Sequence, residues 1–170
     1  MRVVLFRHGP AGTRDASHWP DDAARPLTTK GEQRTRAASE AIARLEGELT
    51  LVLTSPLTRA MQTARLLAGA CADAEIEVLD ALAPGGSYRA IIDHLAGCAT
   101  DGAVALVGHE PDLGKLAGTL IFGAPHSVSL KKAGACAIEF EGPPGPGAGR
   151  LLWFLPPRLL RRLGRKKARV

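Results

Sequence analysis

The sequence has little cysteine and no long hydrophobic run. Its three cysteines, Cys71, Cys98 and Cys136, are odd in number, lie far apart and form no C-x-x-C pair. Such spacing indicates neither a disulfide framework nor a zinc site. We therefore expect the cysteines to be small interior residues of a protein in a reducing, cytoplasmic compartment.

The N-terminal residues argue against export and against a membrane anchor. Only four apolar residues, Val3 to Phe6, separate Arg2 from Arg7, which is too few for a signal-peptide core or a membrane span. A length of 170 residues suits one well-buried domain and is short for two. We expect a soluble protein with no membrane partner.

Positive charge is concentrated at one end of the chain. The formal net charge is +5, yet from Arg158 onward there are seven Lys or Arg residues and no acidic one. The remainder is near neutral, so no specific nucleic-acid partner is expected. We predict a domain over residues 1–156 and a basic helix or tail over 157–170. This tail is either a solvated terminal helix or a region that attracts an acidic partner or a polyanion, an effect that would fade with salt.

Apolar runs alternate with segments of helical periodicity, which predicts an α/β fold. Repeated alternation of this kind indicates an open, mainly parallel sheet with helices on both faces, a three-layer α/β/α arrangement. The glycine- and proline-rich stretch 142–149 is interpreted as a hairpin loop, which adds an antiparallel element near the end. Strands are predicted at 2–6, 50–53, 76–79, 103–107, 135–140 and 150–155, and helices from Thr28 or Thr29, from Pro56, around 88–95, and from Pro111.

Basic and imidazole side chains follow three of the predicted strands directly. Arg7-His8-Gly9 comes after the first strand, Arg59 closely follows the second, and His109 follows the long strand at 103–107. Ligands bind outside the carboxyl ends of the strands in such sheets. Two guanidiniums and two imidazoles at that edge predict a pocket for a dense anion such as phosphate, with Arg59 in the first turn of its helix.

Two histidines in such a pocket can have different functions. One can attack phosphorus through a ring nitrogen, while the other stays protonated and stabilises charge on the phosphoryl oxygens. The flanking arginines favour a neutral His8, the form that can act as a nucleophile. This scheme needs no metal and no cofactor.

Four ordered blocks carry a family resemblance. Arg7-His8-Gly9, Leu27-Thr28-x-x-Gly31, Ser55-Pro56-x-x-Arg59-x-x-x-Thr63 and Gly108-His109 resemble the histidine phosphatase superfamily, which has the phosphoglycerate mutase-like fold. The short length and the Arg25-Pro26-Leu27-Thr28 segment are most similar to its small SixA-type phosphohistidine phosphatases.

The resemblance implies a role for each matching residue. His8 would be the phosphorylated catalytic nucleophile, and Arg7, Arg59 and His109 would be catalytic residues that also bind the phosphate. Arg25 would be an additional phosphate or substrate contact. His18, His94 and His126 match no block, and Ser55 and Thr63 are expected to form local hydrogen bonds.

One departure from the larger members of the superfamily bears on the substrate. Many of them place a carboxylate general acid after the third strand, where this chain has Ala81. The adjacent Asp80 would point to the opposite face if the segment were extended. Glu110 and Asp15 are possible substitutes. Because an alkoxide needs a proton donor more than a departing imidazole does, the missing acid favours an N–P bond as substrate.

Three functions therefore follow from the sequence. The leading hypothesis is a phosphatase for phosphohistidine on a protein, such as a phosphotransfer domain or carrier. The second is a phosphatase for a small phosphoester or a nucleotide, which requires a working general acid. The third, from a different class, is a phosphate- or polyanion-binding module without turnover.

Overall fold

Six strands of one mixed sheet organise the part of the chain that the computed structural model describes, residues 1–72, 74–98 and 102–165. The strands lie in the order β3-β2-β4-β1-β5-β6 once numbered along the chain. They are β1 (Arg2–Arg7), β2 (Leu49–Thr54), β3 (Glu75–Val78), β4 (Ala103–Gly108), β5 (Ala135–Glu139) and β6 (Arg150–Leu155).

In the described residues, four α-helices and two 3₁₀ turns lie between these strands, and a fifth helix follows the last strand. Helix α1 is capped by Thr28, whose hydroxyl accepts a hydrogen bond from the amide of Gly31. The helices are α1 (Thr29–Glu46), α2 (Thr58–Ala70), α3 (Tyr88–Gly97), α4 (Asp112–Phe122) and α5 (Pro157–Gly164), and the 3₁₀ turns are Asp22–Ala24 and Asp80–Leu82.

The centre of the sheet is parallel and its far side is antiparallel. β1 pairs in parallel with β4 and antiparallel with β5, and β5 pairs antiparallel with β6. This confirms the predicted mainly parallel sheet and the hairpin. It also brings the carboxyl ends of β1, β2 and β4 to one edge.

Alternate side chains of β1 enter two separate cores. Val4 and Phe6 pack with buried residues of α1, α2 and α5, whereas Val3 and Leu5 pack with those of α3 and α4. Since successive strand residues point to opposite faces, a continuously apolar strand needs helices on both sides. The predicted three-layer α/β/α architecture is confirmed.

Two helix starts differ slightly from the prediction. Helix α2 begins at Thr58 rather than Pro56, because the Ser55 hydroxyl accepts a hydrogen bond from Leu57 N and Leu57 keeps an extended backbone. Pro111 is the N-cap of α4 rather than its first residue. Shifts of one or two residues at helix ends leave the arrangement of elements unchanged.

Helix α5 packs against the body of the domain. Leu160 is fully buried in the core shared with α1 and α2, and Arg44 of α1 donates hydrogen bonds to the carbonyls of Leu163 and Gly164. The last part of the predicted basic tail, residues 166–170, lies outside the described residues. Among the helices that are described, none is long and apolar enough to cross a membrane.

Replacement of Leu160 tests how much α5 stabilises the domain. Leu160→Ala should lower the free energy of unfolding by about 2–5 kcal/mol, because it leaves a cavity at a fully buried position. Leu159→Ala, at a side chain that is 42% exposed, is the matched control and should change it by about 0.5 kcal/mol or less. Urea unfolding followed by circular dichroism measures both, and equal midpoints would contradict the expectation.

Candidate active site

The ends of β1, β2 and β4 carry the residues that the sequence singled out. His8 N donates to Gly108 O at 3.1 Å, and Ser55 N donates to Val107 O at 3.0 Å. Backbone hydrogen bonding to β4 therefore continues one residue beyond the end of β1 and one residue beyond the end of β2. His109 follows β4 directly. The predicted convergence at this edge is therefore present.

A cavity of about 640 Å³ opens at this edge. All five residues predicted for the site (Arg7, His8, Arg25, Arg59 and His109) line this cavity, together with three further charged side chains. Its charged and imidazole lining consists of Arg7, His8, Arg14, Arg25, Arg59, His109, Glu110 and Lys132. Five of these eight are Arg or Lys side chains and one is a carboxylate, so the cavity favours an anion.

Hydrogen bonding defines which nitrogen of His8 can act as a nucleophile. His8 Nδ1 lies 2.7 Å from the carbonyl oxygen of Gly9, which can only accept a hydrogen bond. The proton is therefore on Nδ1, and Nε2 keeps its lone pair. Burial, together with the charges of His109 and the arginines, lowers the pKa of His8 to about 3, so the ring is neutral near pH 7.

Gly9 and Thr63 fix the chain immediately after His8. Gly9 N donates to Thr63 Oγ1 at 3.1 Å, and Thr63 Oγ1 donates to Arg59 O at 2.8 Å. A Cβ at Gly9 would lie 1.9 Å from Thr35 Oγ1, so only glycine permits this approach to α1. The local hydrogen-bonding function expected for Thr63 thus links the loop after β1 to the helix that carries Arg59.

Arg7 and Arg59 each have a donor without a partner. Arg7 Nη1 donates to Leu130 O at 2.7 Å, and Arg59 Nη1 donates to Asp22 O at 2.8 Å. The buried Nε atoms of both side chains have no hydrogen-bond partner among the described residues. Burial also lowers the pKa of both guanidiniums. An anion that accepts from these N–H groups would remove a cost that the ligand-free protein carries.

His109 lies beside His8, with ring centroids 5.0 Å apart, and is hydrogen-bonded through Nε2 to Ser55 Oγ at 2.8 Å. Burial, followed by the charges of Arg59 and Arg7, lowers its pKa to about 4. In the ligand-free site these effects disfavour the proton expected on the second imidazole, and its protonation during the reaction stays a prediction. Without an anion, the guanidiniums repel a proton on His109.

Asp22 orients the predicted substrate contact Arg25. The Asp22 carboxylate accepts from Arg25 Nε at 2.9 Å and from Arg59 Nη2 at 3.1 Å. Arg25 Nη1 also donates to Gly12 O at 2.7 Å. These bonds hold Arg25 at the cavity and leave Arg25 Nη2 without an acceptor among the described residues. The hydrogen bonds from Arg25 and the charges of the arginines also lower the pKa of Asp22.

The carboxylates considered as general acids occupy different places. Asp80 begins a 3₁₀ turn rather than lying in an extended segment; it is exposed and absent from the cavity lining, because the turn directs the buried Leu82 inward instead. Asp15 is bonded to Ser17 and His18 in the loop. Only Glu110 lines the cavity, and burial raises its pKa.

Three residues of the site were not predicted from the sequence. Lys132 and Arg14 line the cavity, and Asp22 accepts hydrogen bonds from Arg25 and Arg59. All three lie in loops or short turns, where no periodicity or motif marks them.

Among the described residues, no group of three or more His, Cys, Asp or Glu side chains is placed to hold a metal ion.

Proton uptake on anion binding follows from the low pKa of His109. Sulfate is the test anion. It stays a dianion at the pH of the measurement, so a proton taken up on binding goes onto the protein and not onto the ligand. A bound dianion should raise the pKa of His109 from about 4, so that binding at about pH 6 takes up a proton and weakens as pH rises. Calorimetry in buffers of different ionisation enthalpy measures the uptake.

The matched variants for this measurement are His109→Gln and His126→Gln. His126 is exposed and absent from the cavity lining, so its replacement should leave uptake unchanged, whereas His109→Gln should remove most of it. Equal uptake in wild type and His109→Gln would show that another group binds the proton.

Comparisons with known proteins agree with this geometry. A model of the histidine phosphatase superfamily (branch 1) matches residues 3–84. An uncharacterised protein of Picosynechococcus sp. is 43% identical over 142 residues, which are 82% of this chain and 85% of that protein. The phosphohistidine phosphatase SixA of Escherichia coli is 33% identical over 161 residues, which are 92% of this chain and 94% of SixA.

A solved structure is similar over the same range. The protein histidine phosphatase SixA complexed with tungstate has a TM-score of 0.79 and 28% identity, and the match covers 94% of this chain and 99% of that one. The resemblance stated from the sequence is confirmed. With its ordered motifs gathered at one sheet edge and relatives matching over nearly their full length, the chain belongs to the histidine phosphatase superfamily and is a phosphatase similar to the SixA type.

Proposed function

We propose that this phosphatase transfers a phosphoryl group from phosphohistidine on a protein to His8 and then to water. The observation that carries the proposal is the pair of buried, unpartnered guanidinium nitrogens of Arg7 and Arg59, beside a neutral imidazole whose Nε2 has a free lone pair. Unsatisfied buried donors are costly, and phosphoryl oxygens are the acceptors that guanidinium geometry suits.

The reaction proceeds in two displacement steps. His8 Nε2 attacks phosphorus, a phosphoramidate N–P bond forms, and the bond to the leaving group breaks with its electron pair going to the departing nitrogen. Water then attacks the same phosphorus, the His8 N–P bond breaks, and inorganic phosphate leaves. Arg7, Arg59 and a His109 protonated by the arriving dianion stabilise the transferred oxygens in both steps. The scheme assigns no step to a metal or cofactor.

The leaving group decides which substrate this site can serve. An imidazole leaves phosphorus with little help, whereas an alkoxide needs a proton donor worth about 10²–10⁴ in rate. Ala81 and the exposed Asp80 supply none at the cavity. The relative named phosphohistidine phosphatase SixA supports the same substrate class, and with it a phosphorylated phosphotransfer domain or carrier as partner.

The basic C-terminal helix supports a protein rather than a metabolite as substrate. Arg158, Arg161 and Arg165 lie close enough to one another and to Arg34 of α1 that their charges lower the pKa of Arg161, although burial is the larger cause. Such a surface attracts an acidic partner protein at low salt. The proposal also places the protein in the cytoplasm, which the three free cysteines support.

A phosphatase for small phosphoesters is the second candidate, and Glu110 is the observation that favours it. Its carboxyl lines the cavity, and burial raises its pKa, as a proton donor requires. However, Glu110 Oε1 accepts a hydrogen bond from Leu130 N at 2.7 Å, which directs this oxygen to the backbone.

Replacement of His8 tests the nucleophile. His8→Ala should reduce turnover of a phosphohistidine peptide by at least about 10³-fold, because the covalent intermediate cannot form. His94→Ala is the control outside the cavity and should keep near-normal activity. Turnover is measured without added metal, and an acid-labile phosphoryl group on His8 is sought by mass spectrometry. Near-normal activity of His8→Ala would overturn the mechanism, and phosphate binding without any turnover in wild type would favour a binding module.

Replacement of Glu110 by glutamine separates the two substrate classes. The amide oxygen of Glu110→Gln can still accept from Leu130 N, but the side chain can no longer donate an acidic proton. Hydrolysis of a phosphohistidine peptide should stay within about threefold of wild type, since its leaving group needs no general acid. A loss of about 10²-fold or more on phosphoglycerate, with p-nitrophenyl phosphate spared because p-nitrophenolate also leaves without a proton donor, would show that Glu110 is a general acid and that esters are the substrate.

A further inference from the structure

A tight turn before β5 brings Lys132 to the active-site cavity. Gly134 N donates to Lys131 O at 2.7 Å, which closes the turn, and Ala133 between them is buried with a left-handed φ of 58°. Ala133 N lies 3.2 Å from both Arg7 O and His8 O. The turn is thus bonded directly to the backbone that carries the nucleophile.

Both ends of this turn are fixed to the phosphate-binding residues. Arg7 N donates to Gly134 O at 3.1 Å, and Arg7 Nη1 donates to Leu130 O at 2.7 Å. Glu110 Oε1 holds Leu130 N from the other side. The position of Lys132 relative to Arg7 is therefore set by the same bonds that orient Arg7.

Lys132 differs from the other cations of the cavity in having no protein partner. Arg7, Arg25 and Arg59 each donate to a protein oxygen, whereas Lys132 makes no hydrogen bond or ion pair with any described residue. Burial and the charges of these three arginines lower its pKa. A cation that lines the cavity close to other cations, without a counter-charge from the protein, would be stabilised by a bound anion, which points to a ligand.

The place of Lys132 identifies which part of a ligand it meets. The residue is exposed and yet lines the cavity, so its ammonium lies at the opening rather than at the floor formed by the histidines. The phosphoryl oxygens already have donors in Arg7, Arg59 and His109. We propose that Lys132 binds a second negative charge of the substrate, a carboxylate beside the phosphoryl group, and so selects phosphohistidine flanked by an acidic residue. This inference rests on the proposed function.

A pair of peptide substrates tests this selection. Two phosphohistidine peptides differ only in a glutamate or glutamine next to the phosphohistidine, and kcat and KM are measured separately. Lys132→Met should raise KM for the glutamate peptide about tenfold with little change in kcat, and should leave the glutamine peptide within about twofold. Lys131→Met is the matched control, because Lys131 is an adjacent exposed lysine outside the cavity lining, and it should change neither peptide.

A binding measurement keeps this inference separate from the proposed function. Phosphonoacetate carries a carboxylate beside its phosphonate, and methylphosphonate does not. Lys132→Met should weaken phosphonoacetate binding about tenfold and methylphosphonate binding at most about twofold, as measured by calorimetry with no turnover needed. If wild type hydrolyses neither peptide while Lys132→Met still weakens phosphonoacetate binding more than methylphosphonate binding, the proposed function fails. Carboxylate recognition by Lys132 then stands, with a small phosphorylated carboxylate as the ligand.

Other outcomes would overturn the role of Lys132. Equal weakening of both ligands, or equal increases in KM for both peptides, would mean that Lys132 contacts the phosphoryl group itself. If Lys131→Met and Lys132→Met raised KM for the glutamate peptide equally, the carboxylate would be attracted by the overall positive charge of this region and not by a contact with Lys132. A normal far-UV circular dichroism spectrum and unfolding midpoint for each variant exclude misfolding as the cause.

Discussion

The structure depends on holding several like charges together at the end of one buried strand. Arg7 ends β1, at the centre of the sheet, and Arg59 and Arg25 line the same cavity, so their positive charges repel one another. Protein oxygens accept hydrogen bonds from some of the guanidinium N–H groups. Leu130 O accepts from Arg7, and Asp22 accepts from Arg25 and Arg59. The Nε atoms of Arg7 and Arg59 stay unpaired. The site is therefore prepared for an anion before one arrives, at the expense of stability in its absence.

The proton on His109 is part of the same balance. With the pocket empty, burial and the neighbouring guanidiniums keep both imidazoles neutral, with pKa values of about 3 and 4. Neutrality suits the nucleophile proposed at His8, which needs its lone pair, and would not suit the charge-stabilising role proposed for His109. A phosphoryl dianion reverses the local field, so the ligand supplies the condition under which His109 becomes protonated. In the proposed mechanism, the charges of the cavity thus give His8 and His109 different roles, His8 before and His109 after the phosphoryl group has bound.

Sequence alone predicted the parts of this site that are fixed by strand ends. Arg7, His8 and His109 follow apolar runs directly, and Arg59 follows a strand and a helix start, so topology alone brings them to one edge. Lys132 and Asp22 could not be found in this way, because their positions depend on loop contacts between residues far apart in the chain, such as Ala133 with Arg7. The direction of Asp80 was inferred only for the case of an extended segment after β3; this segment is a 3₁₀ turn, which local polarity does not distinguish from a strand end.

Glu110 shows why the same residue cannot easily serve two purposes here. Its carboxyl accepts from the amide of Leu130, and a further backbone hydrogen bond, from Gly114, also favours its charged form. Through Leu130 it supports the carbonyl that orients Arg7 and the turn that carries Lys132. To donate a proton to a leaving group, this carboxyl would have to turn away from the backbone. It would then lose the bond to Leu130 N that supports the position of Arg7, at the moment when the charge on the phosphoryl group is greatest. A substrate whose leaving group needs no proton avoids the conflict, and phosphohistidine is such a substrate.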